Sequence, residues 1–367
     1  MGLLPGAKVA AHSASQRLLR PLIEDFRLFK SHNLPPPSET ADGPAVAAIR
    51  HFARNSIITQ FPPLGKPAAA KSGLTNPHKH VTMGNTGGYR MARYVLCIGA
   101  HPDDNEAHVG GTAAKCRARG DVVKFVAVTN GNKGHFAEEY KRSPALLAAR
   151  RMREAQTAAA VIGAEFETLN VPDGEVYVTP KLTTALVRLI RTFGPPGQGP
   201  DLVLFHRPMD YHRDHRYTAQ LVLDAAFLLT VPLLCSEVPP LKQMPVLAYW
   251  WDGFTEGGAF RPDVVVPIDD VLEQKIEMLC AHESQMFEWL PYLGGKLEEV
   301  PSDPAGRRTL VTRAVQARNA RVREDVEEQL CRQGLAAACQ YAEAFQISEY
   351  GRQPEEEELR TLFPAFL

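Results

Sequence analysis

From Tyr94 onward, short apolar runs alternate with longer segments in which apolar residues recur at helical spacing. The runs at 93–99, 122–128, 166–171, 201–206, 246–250 and 263–268 have the length of buried strands, and helix-length stretches separate them. That is the pattern of βαβ units. It predicts an α/β fold, a Rossmann-like and mostly parallel sheet with helices on both faces. Two of the helices carry clear punctuation. Ser143–Pro144 opens one that Gly163 stops, and Thr179–Pro180 opens another that Gly194 stops. The stretch from Thr230 to Pro262, rich in Pro, Trp and Gly, breaks the alternation and reads as an insertion or lid. A long helical region is predicted over 312–346, followed by the acidic segment Glu355–Glu358.

Residues 1–90 show no sustained period. They mix Pro35-Pro36-Pro37, Pro62-Pro63 and Ala68-Ala69-Ala70 with scattered Gly, Ser and Asn, and read as a low-order leader to a domain spanning 91–367. Within the leader, Leu18 to Phe29 forms an apolar face at helical spacing. Apolar residues make up 44% of the chain and charged residues 23%, enough for a buried core and against disorder throughout. With 41 basic and 42 acidic side chains, no net field favours nucleic acid or an anionic membrane. The indicated partner is a small molecule, and assembly into a homo-oligomer is compatible with the sequence. The six cysteines have no CxxC spacing and sit where small hydrophobes belong, which fits a reduced, cytoplasmic setting. No run is apolar enough to predict a membrane span.

In open α/β sheets, ligands bind beyond the carboxyl ends of the strands. Directly after the first predicted strand stands Gly99-Ala100-His101-Pro102-Asp103-Asp104. If His101 and Asp104 bind a divalent ion such as zinc, Asp103 lies beside it with a free carboxylate, where a general base belongs. The rival reading makes the two aspartates helix caps, which leaves the adjacent histidine without a purpose. After the fourth strand comes His206-Arg207-Pro208-Met209-Asp210-Tyr211-His212-Arg213-Asp214-His215. His215 is the chosen third ligand, His212 an acid near the ion, and Asp214 a carboxylate that orients an imidazole. The alternative is a solvated polar loop.

Together these segments resemble the LmbE-like, or PIG-L, family of N-acetylglucosaminyl deacetylases, from about Met91 to the C-terminus. The matches are His101 to Asp104 with Glu106, Gly110-Gly111-Thr112, Thr129-Asn130-Gly131, Arg151 with Glu154, Pro172-Asp173-Gly174, Asp210 to His215, and His282-Glu283-Ser284-Gln285. The resemblance implies a zinc-dependent hydrolase, one ion per chain, that removes an acyl group, N-acetyl above all, from an amino sugar or glycoconjugate. His101, Asp104 and His215 would be the ligands and Asp103 the base. His212 would stabilise the oxyanion and protonate the leaving amine, with Asp214 tuning it. Arg151 and Asp173 align with positions that contact substrate hydroxyls. Locally, Arg151 also reads as an ion-pair partner of Glu154, and Asp173 as a turn residue. The role of His282 is left open. Arg213 stands where many relatives have proline.

Other readings keep the same site or fold. An amidase acting on a thiol-conjugated amino sugar shares the metal set, and a catalytically silent sugar-binding protein shares the fold. A two-metal phosphoesterase would need further bridging carboxylates. The same ligands suit another divalent ion such as ferrous iron. Tyr249-Trp250-Trp251 reads as core rather than pocket wall.

Overall fold

A computed structural model describes residues 81–83 and 89–364 of the chain. The leader expected over 1–90 lies outside the described residues except for a few positions at its end. There, Val81–Met83 (β1) and Tyr89–Met91 (β2) pair as an antiparallel ribbon.

A second sheet contains Tyr94–Gly99 (β3), Val122–Thr129 (β4), Glu165–Val171 (β5), Leu202–Phe205 (β6), Val246–Trp250 (β7), Val264–Pro267 (β8) and Ala342–Ile347 (β9). Its lateral order is β5-β4-β3-β6-β7-β9-β8. Neighbours run parallel from β5 across to β7, and β9 is antiparallel to both β7 and β8. The helices are Asp104–Ala118 (α1), Glu138–Arg142 (α2), Pro144–Val161 (α3), Pro180–Thr192 (α4), Arg213–Leu228 (α5), Leu272–Cys280 (α6), Leu290–Leu293 (α7), Pro304–Asp325 (α8), Glu327–Gln333 (α9) and Glu356–Leu362 (α10). None among the described residues is long and apolar enough to cross a membrane.

The central strands β3, β6 and β7 are apolar on both sides because both sides are covered. Val95 and Cys97 of β3 join a core with Val109 and Ala113 of α1 and Ile276 of α6. Their neighbours Leu96 and Ile98 join the opposite core with Leu186 and Ile190 of α4 and Val222 of α5. Each valine, leucine or isoleucine among them, removed from water, contributes about 1.5–3 kcal/mol. Two helix starts follow the sequence punctuation: α3 begins at Pro144, and α4 begins at Pro180 with the Thr179 hydroxyl accepting the Leu182 N–H at 3.2 Å. All six cysteines are free thiols.

One expectation is corrected. The helical region predicted over 312–346 is helical only as α8 and α9. Gly334 then adopts a left-handed conformation (φ 74°), and Ala342–Ile347 becomes a strand between β7 and β8. Alanine-rich sequence favours helix locally, but pairing on both edges and burial override that weak preference. The strand expected at 246–250 is β7, and within the stretch 230–262, expected as an insertion or lid, the residues on either side of it are loops and turns.

The chain winds from β3 through β4 to β5 on one side and from β6 to β7 on the other. The crevice beyond the carboxyl ends of β3 and β6 is therefore the topological switch point, where this architecture binds ligands.

Candidate metal centre

The first half of the crevice is the turn between β3 and α1. Gly99 ends β3 because nothing larger fits: a Cβ there would lie 2.7 Å from the Asp104 Cβ. Asp103 precedes α1 at φ 140°, a left-handed-side conformation that costs a non-glycine residue on the order of 1–3 kcal/mol and tends to be retained at functional sites. Its side chain makes no capping bond to α1, and Asp103 Oδ1 lies 3.3 Å from Arg151 Nη2. Asp104 turns inward, its Oδ2 accepting the His101 N–H at 2.7 Å.

The second half is the start of α5. His212 is the cap residue, and its Nδ1 accepts the Asp214 N–H at 3.1 Å. Asp210 Oδ1 accepts the His212 N–H at 2.7 Å. One turn into the helix, His215 reaches across to β3 and α1. His215 Nε2 lies 3.2 Å from His101 Nδ1 and 3.5 Å from Asp104 Oδ1, and His101 Nδ1 lies 3.4 Å from Asp104 Oδ2. Donors bound tetrahedrally at zinc distances of 2.0–2.1 Å stand about 3.4 Å apart; the two ring nitrogens meet that spacing with each other, and each meets it with a different oxygen of Asp104. Donor atoms also converge in three overlapping groups able to hold a metal ion: His101 with His212 and His215, Asp104 with His206 and His215, and His101 with Asp173 and Asp214.

The surroundings are rich in negative charge. Asp210 Oδ2 lies 3.1 Å from His215 Nδ1, while Asp173 Oδ1 and Asp214 Oδ2 lie 3.2 and 3.5 Å from His101 Nε2. Burial disfavours charge on the His101 and His215 rings, yet these carboxylates and Asp104 raise both imidazoles above the usual range. A bound cation would take the place of those protons. Burial pushes the Asp103 carboxyl up to about 6 against the pull of Arg151, and burial together with the nearby His101 lowers His212 to about 4.

Each residue singled out in the sequence is accounted for by position. His101, Asp104, His212 and His215 meet in the crevice, and Asp103 stands at its edge. The Asp214 carboxylate accepts the Gly174 and Val176 N–H groups at 2.6 and 3.3 Å, so it ties the loop after β5 to α5 and touches His212 only through its own backbone. Arg151 is buried and donates to the carbonyls of Pro102 (2.8 Å) and Gly131 (3.4 Å). Glu154 pairs with Arg150 rather than Arg151. Asp173 faces His101. Tyr249, Trp250 and Trp251 are all buried, and Trp250 stacks on His108.

Sequence reasoning gave no role to His206 or Asp210. His206 is fully buried, its Nε2 lies 3.1 Å from both the Ala100 N and Asp104 Oδ2, and its ring stacks on His215 at 4.1 Å. Its place directly after β6, matching that of His101 near the end of β3, was the available signal. His282 is fully buried with Nε2 3.3 Å from Glu106 Oε1. Ser284 donates its hydroxyl to Glu154 at 2.6 Å, and Gln285 donates to the Gly134 carbonyl at 3.2 Å.

Comparisons with known proteins bear on this geometry. A family model described as GlcNAc-PI de-N-acetylase, PIG-L, matches residues 96–226. The diacetylchitobiose deacetylase of Thermococcus kodakarensis is 30% identical over 219 residues, covering 56% of this chain and 76% of that protein. Among solved structures, the N,N'-diacetylchitobiose deacetylase of Pyrococcus horikoshii superposes with a TM-score of 0.53 at 23% identity, covering 73% of this chain and 89% of the other. GalB, the 4-carboxy-2-hydroxymuconate hydratase of Pseudomonas putida KT2440, gives the same TM-score at 20% identity, with 72% and 99% covered. A deacetylase and a hydratase thus share the fold, and the reaction must be argued from the side chains in the crevice.

Proposed function

The chain belongs to the PIG-L, or LmbE-like, family, and on that premise we propose that it is a hydrolase that removes the N-acetyl group from an amino sugar or glycoconjugate, with one zinc ion held by His101, Asp104 and His215. The observation that supports this most directly is that the facing nitrogens of His101 and His215 stand 3.2 Å apart, with Asp104 Oδ2 3.4 Å from the first and Asp104 Oδ1 3.5 Å from the second, and with the Asp103 carboxylate next in sequence. A divalent ion in that set supplies Lewis acidity, making water a better nucleophile and polarising the acyl oxygen.

The chain's own residues do the rest. Asp103 takes the proton of the attacking water. His212 has Nδ1 committed as an acceptor, so its proton sits on Nε2 and is offered as a hydrogen bond to the carbonyl oxygen as negative charge develops there. A neutral ring with one proton is a hydrogen-bond donor rather than an acid toward an amine. The proton held by Asp103 is therefore the one that returns to nitrogen as the C–N bond breaks, releasing acetate and the free amine. This assigns proton delivery to Asp103, where the family resemblance gives it to His212. Asp173 and Asp210 hold the outer nitrogens of His101 and His215, fixing which nitrogen faces the crevice.

The test is metal analysis of purified protein, followed by amine and acetate release from a panel of N-acetylated sugars and a thiol-conjugated amino sugar. About one zinc per chain and equal release of amine and acetate are expected. If zinc-loaded protein frees no amine from any member of the panel, the proposal is wrong.

A further inference from the structure

The first turn of α5 carries a side chain that the mechanism does not use. Arg213 is its first helical residue, the place where many relatives have proline and where proline suits a helix best. Its guanidinium reaches the loop after β5. Nη1 donates to the Gly174 carbonyl at 3.0 Å and Nη2 to the Val176 carbonyl at 3.4 Å, while the planar group lies 3.8 Å from the Tyr177 ring centroid and 5.3 Å from that of Tyr217.

These contacts complete a pattern that the next residue begins. Asp214 accepts the N–H groups of Gly174 and Val176 at 2.6 and 3.3 Å. Two adjacent side chains of α5 therefore serve the N–H and the carbonyl of both residues. Residues 175–179 belong to no helix or strand, and Val176 is fully buried, so its main-chain groups need partners other than a sheet ladder. A guanidinium can bridge two carbonyls and lie flat against a ring at the same time, because its donors form a rigid planar fork. Lysine has a single compact donor head, and proline has no side-chain donor.

The clamp bears on the crevice through His101. Asp173 directly precedes Gly174, and its Oδ1 lies 3.2 Å from His101 Nε2, with Asp214 Oδ2 3.5 Å from the same nitrogen. Asn132 Oδ1 accepts the Asp173 N–H at 3.0 Å, which ties this turn to the loop after β4. Arg213 and Asp214 tie it to the helix that carries His215. Resting on the zinc reading of this crevice, we propose that Arg213 is a positioning residue: by clamping the 174–176 segment to α5, it keeps the Asp173 carboxylate on the outer nitrogen of His101. A group that orients a metal-binding imidazole in this way contributes about 10- to 100-fold to metal affinity or activity. Arg213 acts one contact further out, so its share is smaller.

The experiment compares the full-length wild type with Arg213→Gln, Arg213→Lys and Arg213→Pro. Hydrogen exchange of the 172–177 segment, measured without metal, should be about 10-fold faster in all three, the effect of losing one or two hydrogen bonds locally. Zinc affinity, measured by competition with a chromophoric chelator well below the melting temperature, should fall about 3- to 10-fold in each. A residue that only supports the fold would leave that affinity unchanged. Arg213→Pro is the sharpest variant, because it restricts the backbone at the start of α5 and lacks the fork. The proposal is overturned if exchange in Arg213→Gln equals the wild type, if exchange rises while zinc affinity stays, or if Arg213→Lys or Arg213→Pro matches the wild type in both. Amine release separates the two readings. A wild type that binds zinc and frees no amine removes the deacetylase and leaves the clamp to exchange and affinity, whereas normal turnover with unchanged affinity in the variants removes the clamp and keeps the deacetylase. A wild type that binds no zinc removes both.

Discussion

Asp103 and Asp104 are chemically alike and adjacent, yet the backbone gives them different work. Asp104 begins α1 and turns its carboxylate onto the His101 N–H and the imidazoles, while Asp103, at φ 140°, is aimed elsewhere and meets Arg151. Burial raises Asp103 toward neutrality, to about 6, which suits the base and proton-return role proposed for it. Asp103→Asn should therefore keep zinc at the wild-type stoichiometry and lower turnover ~10²- to 10⁴-fold, the usual loss for a general base. Near-normal turnover in that variant, measured beside its metal content, would remove Asp103 from the mechanism. His212→Phe tests the oxyanion role, with an expected loss of ~10²- to 10³-fold in kcat. A change confined to KM would instead make His212 a binding residue. At this scale the sequence was informative where chemistry and strand ends coincide, because a histidine and two acids directly after an apolar run have few structural uses. It was silent on which acid serves which imidazole. Asp210 and Asp214 flank His212 symmetrically, and only the capping geometry of α5 puts Asp210 beside His215 and sends Asp214 to the Gly174 and Val176 N–H groups.

At the scale of elements, the site depends on how closely α1 packs. Gly110-Gly111-Thr112, which the sequence offered only as a family match, lies where α1 meets Ile268, α6 and β9. A Cβ on Gly111 would lie 2.6 Å from Ile268 Cγ2, and the Gly111 and Thr112 N–H groups donate to Glu343 at 2.9 and 2.7 Å. Gly111→Ala must push α1 or Ile268 aside and should destabilise the protein by about 1–3 kcal/mol, seen as a lower denaturant midpoint at unchanged m-value. An unshifted midpoint would show that α1 has slack there. Glu343 is itself buried and meets the Lys275 ammonium at 2.6 Å, both side chains almost fully enclosed. Removing Lys275 leaves a carboxylate without counter-charge, and Lys275→Met should cost roughly 3–5 kcal/mol in the same measurement. This pair explains why β9 was hidden from a reading by pattern. A strand with glutamate among alanines looks like helix surface, and its true environment depends on a lysine 68 positions away. The central parallel strands β3, β6 and β7 were legible because each is a continuous buried apolar run, whereas β5, at the sheet edge, mixes apolar with polar residues. The Gly134 loop and the Ser284–Trp289 turn have no period, and they meet only in space, where Gln285 donates to the Gly134 carbonyl.

For the whole molecule, the switch point joins two wings of a sheet whose ends, carrying the proposed ligands, are distant along the chain. His101 and His215 are 114 residues apart and belong to different βα units, one leading toward β4 and β5, the other toward β7. Without a cation, buried carboxylates and imidazoles hold this junction together through protons and charge alone. An ion bound there links β3 and α1 to α5 and stabilises only the folded chain, since the unfolded chain does not bring those donors together. Its effect follows from mass action: free zinc at a hundred times its dissociation constant adds about 2.7 kcal/mol. For a domain of this size that corresponds to a rise of about 5 °C in Tm. Zinc-loaded wild-type protein should melt higher by that amount than protein stripped with a chelator, and the increment should grow with the logarithm of free zinc. His215→Ala should abolish the increment while leaving the stripped melting temperature within a few degrees of the wild type. Wild-type melting that is indifferent to zinc would mean that the three donors do not close on a common ion, and the catalytic argument would lose its centre. A zinc response that survives His215→Ala would move the ion to another of the overlapping donor groups, such as His101 with Asp173 and Asp214.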